Sequence, residues 1–417
     1  MLLLKYNSLP SDKLIICEST MLKFLYNKLS SDTGIYFNVW DWSIPELYGI
    51  VLGMMVKLDL SGCLQIQESE MLDFIIDVEK GYFTTDYHSF YHAADVVAML
   101  YYMLVDLGAA KHLTHFDSIC LMIAGLCHDI GHPGLNNVYQ VNARTPLAIK
   151  YNNQSVLENY SCTLTMELLS KHKLFRHLHN NNNNDFQGMD PQQIDFTLKS
   201  LIKKIILATD MMNHYELLES LHNIINLSSS STSSTNICSS SSPSSDESYK
   251  DQRDIFLKVL LHAADLSNAV RPWDISKRWS DSIVEEFFKQ GDLEKQKNLP
   301  VSPDMDREQA HQSQISLGFG DFVVKPYFEA LALFLNDATI FLDTLAKNRQ
   351  QRRVSLAAGL LIIPEDIQEK LSRMSTPHTS YPTMHHFCSD KSGKIRRTLS
   401  GRSYSSNALL TSTPSII

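Results

Sequence analysis

His128 and Asp129 place an imidazole and a carboxylate side by side in the chain, and His132 follows just before a Pro-Gly pair. Imidazole nitrogens and carboxylate oxygens are common ligands of divalent metals, and the Pro-Gly pair ends any helix at this point. Because adjacent side chains leave a helix about 100° apart, these two can bind one ion only if the backbone bends or other ligands join them. A metal site here therefore needs partners from other parts of the chain.

In three more stretches of the sequence, His or Asp residues stand within or next to apolar segments. His88 and His92 are spaced i, i+4, which places them on one face of a predicted helix. His262 and Asp265 follow an apolar helical segment, and Asp210 follows another. Unpaired polar groups are costly in such surroundings. One shared metal site would explain all four stretches.

The elements that must position these residues are predicted to be helices. Helical spacing of apolar residues is clear in Leu47, Ile50, Val51, Met54 and Met55. Few runs alternate with period two, and no Asn-Gly or Asp-Gly turn separates apolar segments. We therefore predict an all-α fold, built as a compact multi-helix domain.

Composition divides the 417 residues into three predicted parts. Residues 1–35 are an N-terminal segment, residues 36–350 are the helical domain, and residues 351–417 are a basic, Ser/Thr-rich tail. Asn-rich and Ser-rich tracts near 178–188 and 227–250 are predicted to interrupt the domain as disordered insertions, since they offer too little apolar surface to offset their ordering entropy. The tail holds nine Lys or Arg against four Asp or Glu and is also predicted to be disordered.

Charge and cysteine usage narrow the functional class. The net charge of -9 argues against a nucleic-acid partner, because neutralising phosphates requires a basic surface. The seven cysteines form no CxxC pair, which indicates free thiols in a reducing compartment. The longest uncharged apolar runs have ten residues, against roughly 18 for a membrane span. We predict a cytoplasmic protein with no membrane span.

The ordered motifs resemble the catalytic domain of class I 3',5'-cyclic-nucleotide phosphodiesterases, which are HD-type metal-dependent phosphohydrolases. The resemblance runs from about residue 40 to residue 345 and is carried by Tyr87–Val96, His128–Gly134, Ala208–Met211 and His262–Asn268. It implies an HD-domain-like fold that hydrolyses a cyclic nucleotide to the 5'-monophosphate and so terminates cyclic-nucleotide signalling.

The resemblance also assigns roles to individual residues. The implied ligands of a tightly held metal, usually zinc, are His92, His128, Asp129 and Asp265. Asp129 is expected to bridge to a second ion, magnesium or manganese, and a hydroxide between the two ions is expected to attack phosphorus. His88 resembles the general acid that protonates the leaving 3'-oxygen. The residues expected around the ligands, where they would orient them or their waters, are His132, Asn137, Glu158, Thr209 and Asp210.

The nucleotide pocket implied by the resemblance contains a glutamine that binds the purine and an aromatic residue that stacks on it. Aligning a Gln-Ile pair gives Gln314, whereas aligning Gly318 and Phe319 without a gap gives Ser316. We predict Gln314, because a serine is too short to reach the purine edge, with Phe319 as the stacking residue. Asn268 resembles a residue of many cAMP-preferring members, so cAMP is favoured. A glutamine that flips its amide can read either base, which leaves cGMP or dual specificity as the alternative.

Two other functions stay open at this level. One is a metal-dependent phosphohydrolase that acts on a different nucleotide. The other is a cyclic-nucleotide-binding regulatory module with weakened catalysis, motivated by Ser89, where the family commonly has Asn, and by the shifted glutamine. The intact set of ligands argues against lost catalysis.

A short motif in the tail suggests regulation. Arg352 and Arg353 precede Ser355 in the pattern read by cAMP-dependent protein kinase, so Ser355 is a candidate phosphosite and this kinase a candidate partner. A phosphate there would add negative charge beside two arginines and change how a basic tail docks on an acidic body.

Overall fold

The computed structural model describes residues 2–29, 34–178, 188–231 and 243–361. Within these ranges the chain is helical and has no β-strand, which confirms the all-α prediction. The α-helices, in chain order, are α1 (Ser11–Leu25), α2 (Ile44–Lys57), α3 (Leu60–Leu64), α4 (Glu68–Gly81), α5 (Phe90–Val105), α6 (His115–Cys127), α7 (Asn137–Asn142), α8 (Pro146–Lys150), α9 (Val156–His172), α10 (Pro191–Leu207), α11 (His214–Ser231), α12 (Pro243–Leu266), α13 (Trp273–Gln296), α14 (Gln312–Phe319), α15 (Lys325–Phe334) and α16 (Thr339–Leu361). A π-helical turn, Gly320–Val324, joins α14 to α15.

The N-terminal segment contributes a helix to the body of the protein. Cys17, Met21 and Phe24 recur at helical spacing in α1 and are buried where α1 packs on α2. The two helices approach so closely at Gly49 that a Cβ there would collide with the carbonyl oxygen of Cys17. Composition alone assigned no fold to the first 35 residues, because one short amphipathic face is a weak signal without its partner.

Helices α5, α6 and α12 pack against one another and carry the residues of interest. Nearly every residue of α5 and α6 is buried, including polar ones, as expected for central helices. A capping box begins α6, in which Thr114 accepts from the backbone N–H of Asp117 and the Asp117 carboxylate accepts from the backbone N–H of Thr114. The packing of α5, α6 and α12 brings the start of α5 and the ends of α6 and α12 to the same region.

The predicted domain boundaries are only partly covered by the described residues. Residues 1–359 form one compact unit, and residues 360–417 form a second, of which only 360 and 361 are described. Helix α16 runs past the boundary predicted at residue 350, because its packed face continues to Arg352. The cores of the two predicted insertions and the tail after residue 361 lie outside the described residues.

Cysteine state and membrane topology were also predicted. The five cysteines in the described ranges are free thiols. Among the helices described, none is both long enough and apolar enough to cross a bilayer.

Candidate active site

Four side chains from three parts of the fold converge on one point. His92 lies in the first turn of α5, His128 and Asp129 directly follow α6, and Asp265 lies in the last turn of α12. One nitrogen or oxygen atom of each lies within 4.8 Å of the others. His92 Nε2 is 3.0 Å from Asp265 Oδ1, and His128 Nε2 is 3.1 Å from Asp129 Oδ2. The residues expected to bind the tight metal therefore lie together.

The surroundings of His128 suit a metal ligand. Its Nδ1 donates to the carbonyl oxygen of Gly125 at 2.9 Å, which directs Nε2 toward the two carboxylates. His128 Nε2 is buried, and no described residue forms a hydrogen bond of acceptable geometry with it. Burial lowers the pKa of His128, but the charges of Asp129 and Asp265 raise it well above its ordinary value. This negative field attracts a cation, and two imidazoles with two carboxylates form a group that could hold a divalent metal.

A tight turn explains how two adjacent residues share one site. His128 still has helical dihedral angles, but the chain leaves the helix axis after it and the N–H of His132 donates to the carbonyl oxygen of Asp129 at 3.0 Å. Gly131 has φ +80°, which favours glycine, and a Cβ on it would lie 2.8 Å from the Tyr160 ring. The bend that the sequence required is therefore present.

His88 lies beside these four side chains but outside helix α5. Its i, i+4 spacing from His92 predicts one helix that carries both residues, and this prediction is wrong. Ser89, which precedes the first residue of α5, has φ −121° and ψ 175° and is extended. His88 therefore lies outside α5, and its side chain contacts a different helix.

That element is α13, which places Glu286 against His88. Glu286 Oε1 accepts a hydrogen bond from His88 Nδ1, and Oε2 accepts one from the backbone N–H of Tyr87 at 3.0 Å. Burial lowers the pKa of His88, but the Glu286 charge outweighs it and raises that pKa to about 9. Burial likewise raises the pKa of Glu286, yet the nearby His88 cation lowers it to about 2. The pair therefore holds a protonated imidazole beside the four side chains that could hold a metal.

His132 stacks on His88. The ring centroids are 3.7 Å apart and the planes are 26° apart. His132 Nδ1 accepts from the backbone N–H of Gly134 at 3.1 Å, so this nitrogen carries no proton. Burial and the positive charge of His88 lower the pKa of His132 to about 3. His132 is therefore a neutral ring that stacks on the charged ring of His88.

The remaining residues expected around the ligands form a separate layer of contacts. Asn137 Nδ2 donates to both carboxylate oxygens of Glu158, at 3.1 and 2.9 Å. Burial, and then the charge of Asp210, raises the pKa of Glu158 to about 7. Asp210 accepts from the Ser155 hydroxyl at 2.7 Å. The hydroxyl of Thr209 donates to the carbonyl oxygen of Ile206 in its own turn, so its described hydrogen bond goes to backbone rather than to a ligand.

Asn268 is held by an aromatic residue of the site. Its Nδ2 donates to the hydroxyl of Tyr87. The Tyr87 ring lies over His92 with centroids 4.5 Å apart, and the Trp279 indole centroid is 5.6 Å from that of His92. Two aromatic rings therefore pack against the His92 imidazole.

Helix α14 carries the predicted purine-binding residues. Gln314 is exposed and makes no side-chain hydrogen bond among the described residues. Ser316 instead lies 2.8 Å from the hydroxyl oxygen of Ser280 on α13. Phe319 is partly buried against the core. Of the two alternatives for the purine position, Ser316 is therefore the one that contacts α13.

Comparison with known proteins places this site in a family. Residues 87–345 match the 3'5'-cyclic nucleotide phosphodiesterase family. The chain belongs to this family. The matched region begins at Tyr87, includes His88 and the four converging side chains, and ends in α16.

Curated relatives of this phosphodiesterase domain include enzymes named for different substrates. The chain is 33% identical over 328 residues to 3',5'-cyclic-nucleotide phosphodiesterase regA of Dictyostelium discoideum, covering 78% of this chain and 38% of that protein. It is 30% identical over 351 residues to high affinity cGMP-specific 3',5'-cyclic phosphodiesterase 9A of Mus musculus, covering 80% and 60%. The chain therefore spans less than two thirds of each of these relatives.

Solved structures agree with the phosphodiesterase fold. The chain is similar to LmjPDEB1 in complex with IBMX, with a TM-score of 0.69 and 25% identity, over 84% of this chain and 99% of that one. It is also similar to the phosphodiesterase domain of the RhoPDE fusion protein from the choanoflagellate Salpingoeca rosetta. There the TM-score is 0.65 and the identity 29%, over 81% and 96% of the two chains.

Sequence reasoning assigned no role to Glu286 in this phosphodiesterase domain. A signal was present, because Glu286, Gln290 and Glu294 follow one another at i, i+4 spacing and are all buried. A polar stripe of this kind on a buried helix face needs partners. Glu286 finds its partner in His88, whereas Gln290 and Glu294 bond to each other.

Proposed function

We propose that this chain hydrolyses 3',5'-cyclic nucleotides to 5'-monophosphates, with divalent metals and with His88 as the proton donor. One observation carries the proposal, namely that the group of His92, His128, Asp129 and Asp265 lies beside a His88 that Glu286 keeps protonated. The same chemistry would terminate cyclic-nucleotide signalling.

The donor set supports two metal ions. His92, His128, Asp129 and Asp265 would hold a zinc ion, since imidazole and carboxylate suit that metal. Asp129 would also bridge to a second ion, magnesium or manganese, in an oxygen-rich shell. Such ions would offset the phosphodiester charge and activate the attacking water.

The protein's own residues would then direct the proton. The oxygen of a water adds to phosphorus and that water gives up a proton, while the bond from phosphorus to O3' breaks and O3' takes a proton from His88. The proton that the water gave up balances the one needed to reprotonate His88. Because Glu286 occupies His88 Nδ1, the proton transferred is the one on Nε2. Glu286 then favours reprotonation of His88, because its carboxylate stabilises the imidazolium cation. His132 supports the ring from one side throughout.

Three expected outer residues have contacts that fit an orienting role. Asn137 binds both oxygens of Glu158, whose raised pKa of about 7 keeps a proton available in a buried position. Asp210 fixes Ser155 at the start of α9. We propose that these three orient waters around the second metal.

The nucleotide pocket stays a prediction. Gln314 as the purine reader, Phe319 as the stacking residue and Asn268 as a mark of cAMP preference were inferred from resemblance. Relatives are named for cyclic nucleotides in general, for cGMP and for cyclic AMP, so they leave both bases open. Rates with cAMP and cGMP measured side by side decide the preference.

Phosphorylation of Ser355 by cAMP-dependent protein kinase also stays a prediction, as does a cytoplasmic location. Ser355 is exposed, but it lies in α16 and Arg352 of the same motif is only 8% exposed. A kinase that reads both arginines would need this part of α16 to unwind. Mass spectrometry after kinase treatment, with Ser355→Ala as control, tests the site. Unchanged turnover in Ser355→Asp would exclude regulation through phosphorylation of Ser355.

The test of the proposed function is hydrolysis of cAMP and cGMP with magnesium or manganese, before and after chelation. We expect chelator-sensitive release of the 5'-monophosphate. The His88→Ala variant should lose roughly 10²- to 10⁴-fold in kcat, the usual contribution of general acid catalysis.

A matched control is His115→Ala, since His115 is an exposed histidine at the start of α6. It should turn over like the unmodified chain. If the chain binds metal but releases no product, the proposed hydrolysis is rejected in favour of a binding module. Equal rates in His88→Ala and His115→Ala would reject the role of His88.

A further inference from the structure

The turn that carries His128 and Asp129 is held from outside α6. Tyr82 directly follows α4 and is buried, and its hydroxyl donates to the carbonyl oxygen of Leu126 at 2.9 Å. Leu126 lies in the last turn of α6, where carbonyl groups lack a partner within the helix. A side chain from a distant element therefore satisfies one of these carbonyl groups.

The same element holds the other end of the turn. The N–H of Gly131 donates to the carbonyl oxygen of Gly81, the last residue of α4, at 3.0 Å. Leu126 precedes His128 by two residues in the chain. Gly131 follows Asp129 by two residues. The end of α4 therefore contacts the chain on both sides of the two residues that must share one site.

A third contact to this turn comes from α9. The hydroxyl of Ser161 donates to the carbonyl oxygen of Ile130 at 3.0 Å, and both residues are buried. The path of the chain from Leu126 to Gly131 is therefore set by hydrogen bonds from α9 and from the end of α4, as well as by its own sequence.

The Tyr82 hydroxyl occupies the acceptor that would extend α6. In a continued α-helix, the N–H of Ile130 would donate to the carbonyl oxygen of Leu126, four residues earlier. It donates instead to the carbonyl oxygen of Cys127 at 3.2 Å, and α6 ends at Cys127. A continued helix would direct the side chain of Asp129 about 100° away from that of the preceding residue. The bond from Tyr82 therefore favours the turn over the helix.

We propose that Tyr82, aided by Ser161, is a positioning residue for the metal site. By donating to Leu126, its hydroxyl ends α6 where His128 and Asp129 can bind the same ion. The inference rests on the metal binding within the proposed function. Because Asp129 is also proposed to bridge to the second ion, a loosened turn should weaken the binding of both ions.

The experiment compares Tyr82→Phe, which removes only the hydroxyl, with the matched control Tyr327→Phe. Tyr327 is buried and its hydroxyl also donates to a backbone carbonyl oxygen, that of Val259 at 3.2 Å, so both variants lose the same kind of bond. Zinc affinity is measured by competition with a chelator, without nucleotide. Tyr82→Phe should bind zinc about 10- to 100-fold more weakly than the unmodified chain, the usual effect of losing a group that orients ligands. Tyr327→Phe should bind zinc like the unmodified chain.

Urea unfolding of the metal-free chains separates positioning from a general loss of stability. The free energy of unfolding should fall similarly in both variants, because each loses one buried hydrogen bond. Only Tyr82→Phe should also lose zinc affinity. Equal zinc affinity in Tyr82→Phe and Tyr327→Phe overturns the inference, whatever their stabilities.

Ser161→Ala keeps the inference testable if Tyr82→Phe does not fold. Its control is Ser118→Ala, since Ser118 is a buried serine at the start of α6 whose hydroxyl donates to the carbonyl oxygen of Thr114 at 3.2 Å. Zinc affinity should fall in Ser161→Ala and stay unchanged in Ser118→Ala. Unchanged affinity in both would show that the turn does not depend on contacts from outside α6, which overturns the inference.

Measuring zinc affinity and turnover separately distinguishes failure of this inference from failure of the proposed function. If the unmodified chain binds zinc but hydrolyses neither cAMP nor cGMP, the proposed function fails, and weaker zinc binding by Tyr82→Phe still supports the inference. If the unmodified chain hydrolyses a cyclic nucleotide and Tyr82→Phe binds zinc as tightly as Tyr327→Phe, the proposed function stands and the inference is overturned.

Discussion

The imidazole of His88 stacks on that of His132 at a centroid distance of 3.7 Å, yet the pKa values of the two rings are displaced in opposite directions. Glu286 contacts only the first ring through a hydrogen bond, while the second accepts from a backbone N–H. One ring is therefore kept as a cation and the other as a neutral base. Pairs of titratable groups separated in this way are typical of acid and base assignments in active sites.

Removing the charge of Glu286 should shift the pH profile. A general acid acts in its protonated form, so activity should be lost as pH rises through the pKa of His88, which is about 9. In Glu286→Gln that pKa should fall toward its ordinary value, and the alkaline limb of kcat/KM should move down by roughly 1 to 2 pH units. Glu285→Gln on the same helix is the control. If the alkaline limb of kcat/KM does not move in Glu286→Gln, the assignment of His88 as a general acid held protonated by Glu286 is contradicted.

Asp265→Asn should weaken metal binding. Asp265 Oδ1 is 3.0 Å from His92 Nε2, and the substitution removes one of two anionic ligands without changing shape. Affinity should fall by at least the roughly 10- to 100-fold that outer partners of ligands contribute. Metal content after dialysis, measured by mass spectrometry, checks this independently of turnover. The exposed Asp343 provides the control Asp343→Asn, and equal metal content in both variants would remove Asp265 from the ligand set.

A buried ion pair ties the start of the domain to α5. Arg271 is fully buried, donates to Asp95 Oδ1 at 2.8 Å, and also donates to the carbonyl oxygens of Ile35 and Phe37. Arg271→Leu leaves Asp95 as a buried charge without its partner, which should lower the free energy of unfolding by about 3 to 5 kcal/mol. Urea denaturation measures this loss. Arg353→Leu, at an exposed position, should change the free energy of unfolding little. An equally small change in Arg271→Leu would contradict the expectation.

The buried pair of His214 and His262 should make stability depend on pH. His214 Nδ1 is 3.0 Å from His262 Nε2, and burial lowers the pKa of both, that of His262 to about 4. The charge of Asp265 opposes this shift at His262 only in part. A buried neutral histidine leaves stability intact above its ordinary pKa of about 6.5 and reduces it as pH falls toward 4.

The measurement is urea unfolding at pH 7.5 and pH 5 for the unmodified chain and for His262→Asn, which cannot take up the proton. The unmodified chain should lose about 2 kcal/mol more between the two pH values than the variant does. His112→Asn, at an exposed histidine, should behave like the unmodified chain. Equal pH dependence in all three would show that the pair does not titrate on unfolding.

The convergence of His92, His128, Asp129 and Asp265 was predictable from the sequence because these residues stand in short motifs with strong chemical character. His128 and Asp129 are adjacent, and His92 and Asp265 each follow a recognisable pattern, so their convergence required only that the helices pack. The helical class followed from apolar spacing, since few other patterns compete with it in this chain.

The rest depended on contacts between distant residues. Glu286 is 198 residues from His88, and nothing in its own segment indicates that partner. The position of His88 before α5 depends on the extended backbone of Ser89, which spacing cannot reveal. The burial of Arg352 likewise depends on α13, so a motif that looks like an exposed kinase site in the sequence includes a buried residue.

Helix α12 separates Asp265 from the Ser-rich tract, which lies at the other end of the helix in the chain. It has 24 residues, so at 1.5 Å per residue it is about 36 Å long, and Asp265 lies at its far end from the Ser-rich tract. Helix α11 begins at His214 and ends at the other side of that tract. A change in the length of this repetitive coding stretch would therefore fall at the end of α12 that is remote from Asp265.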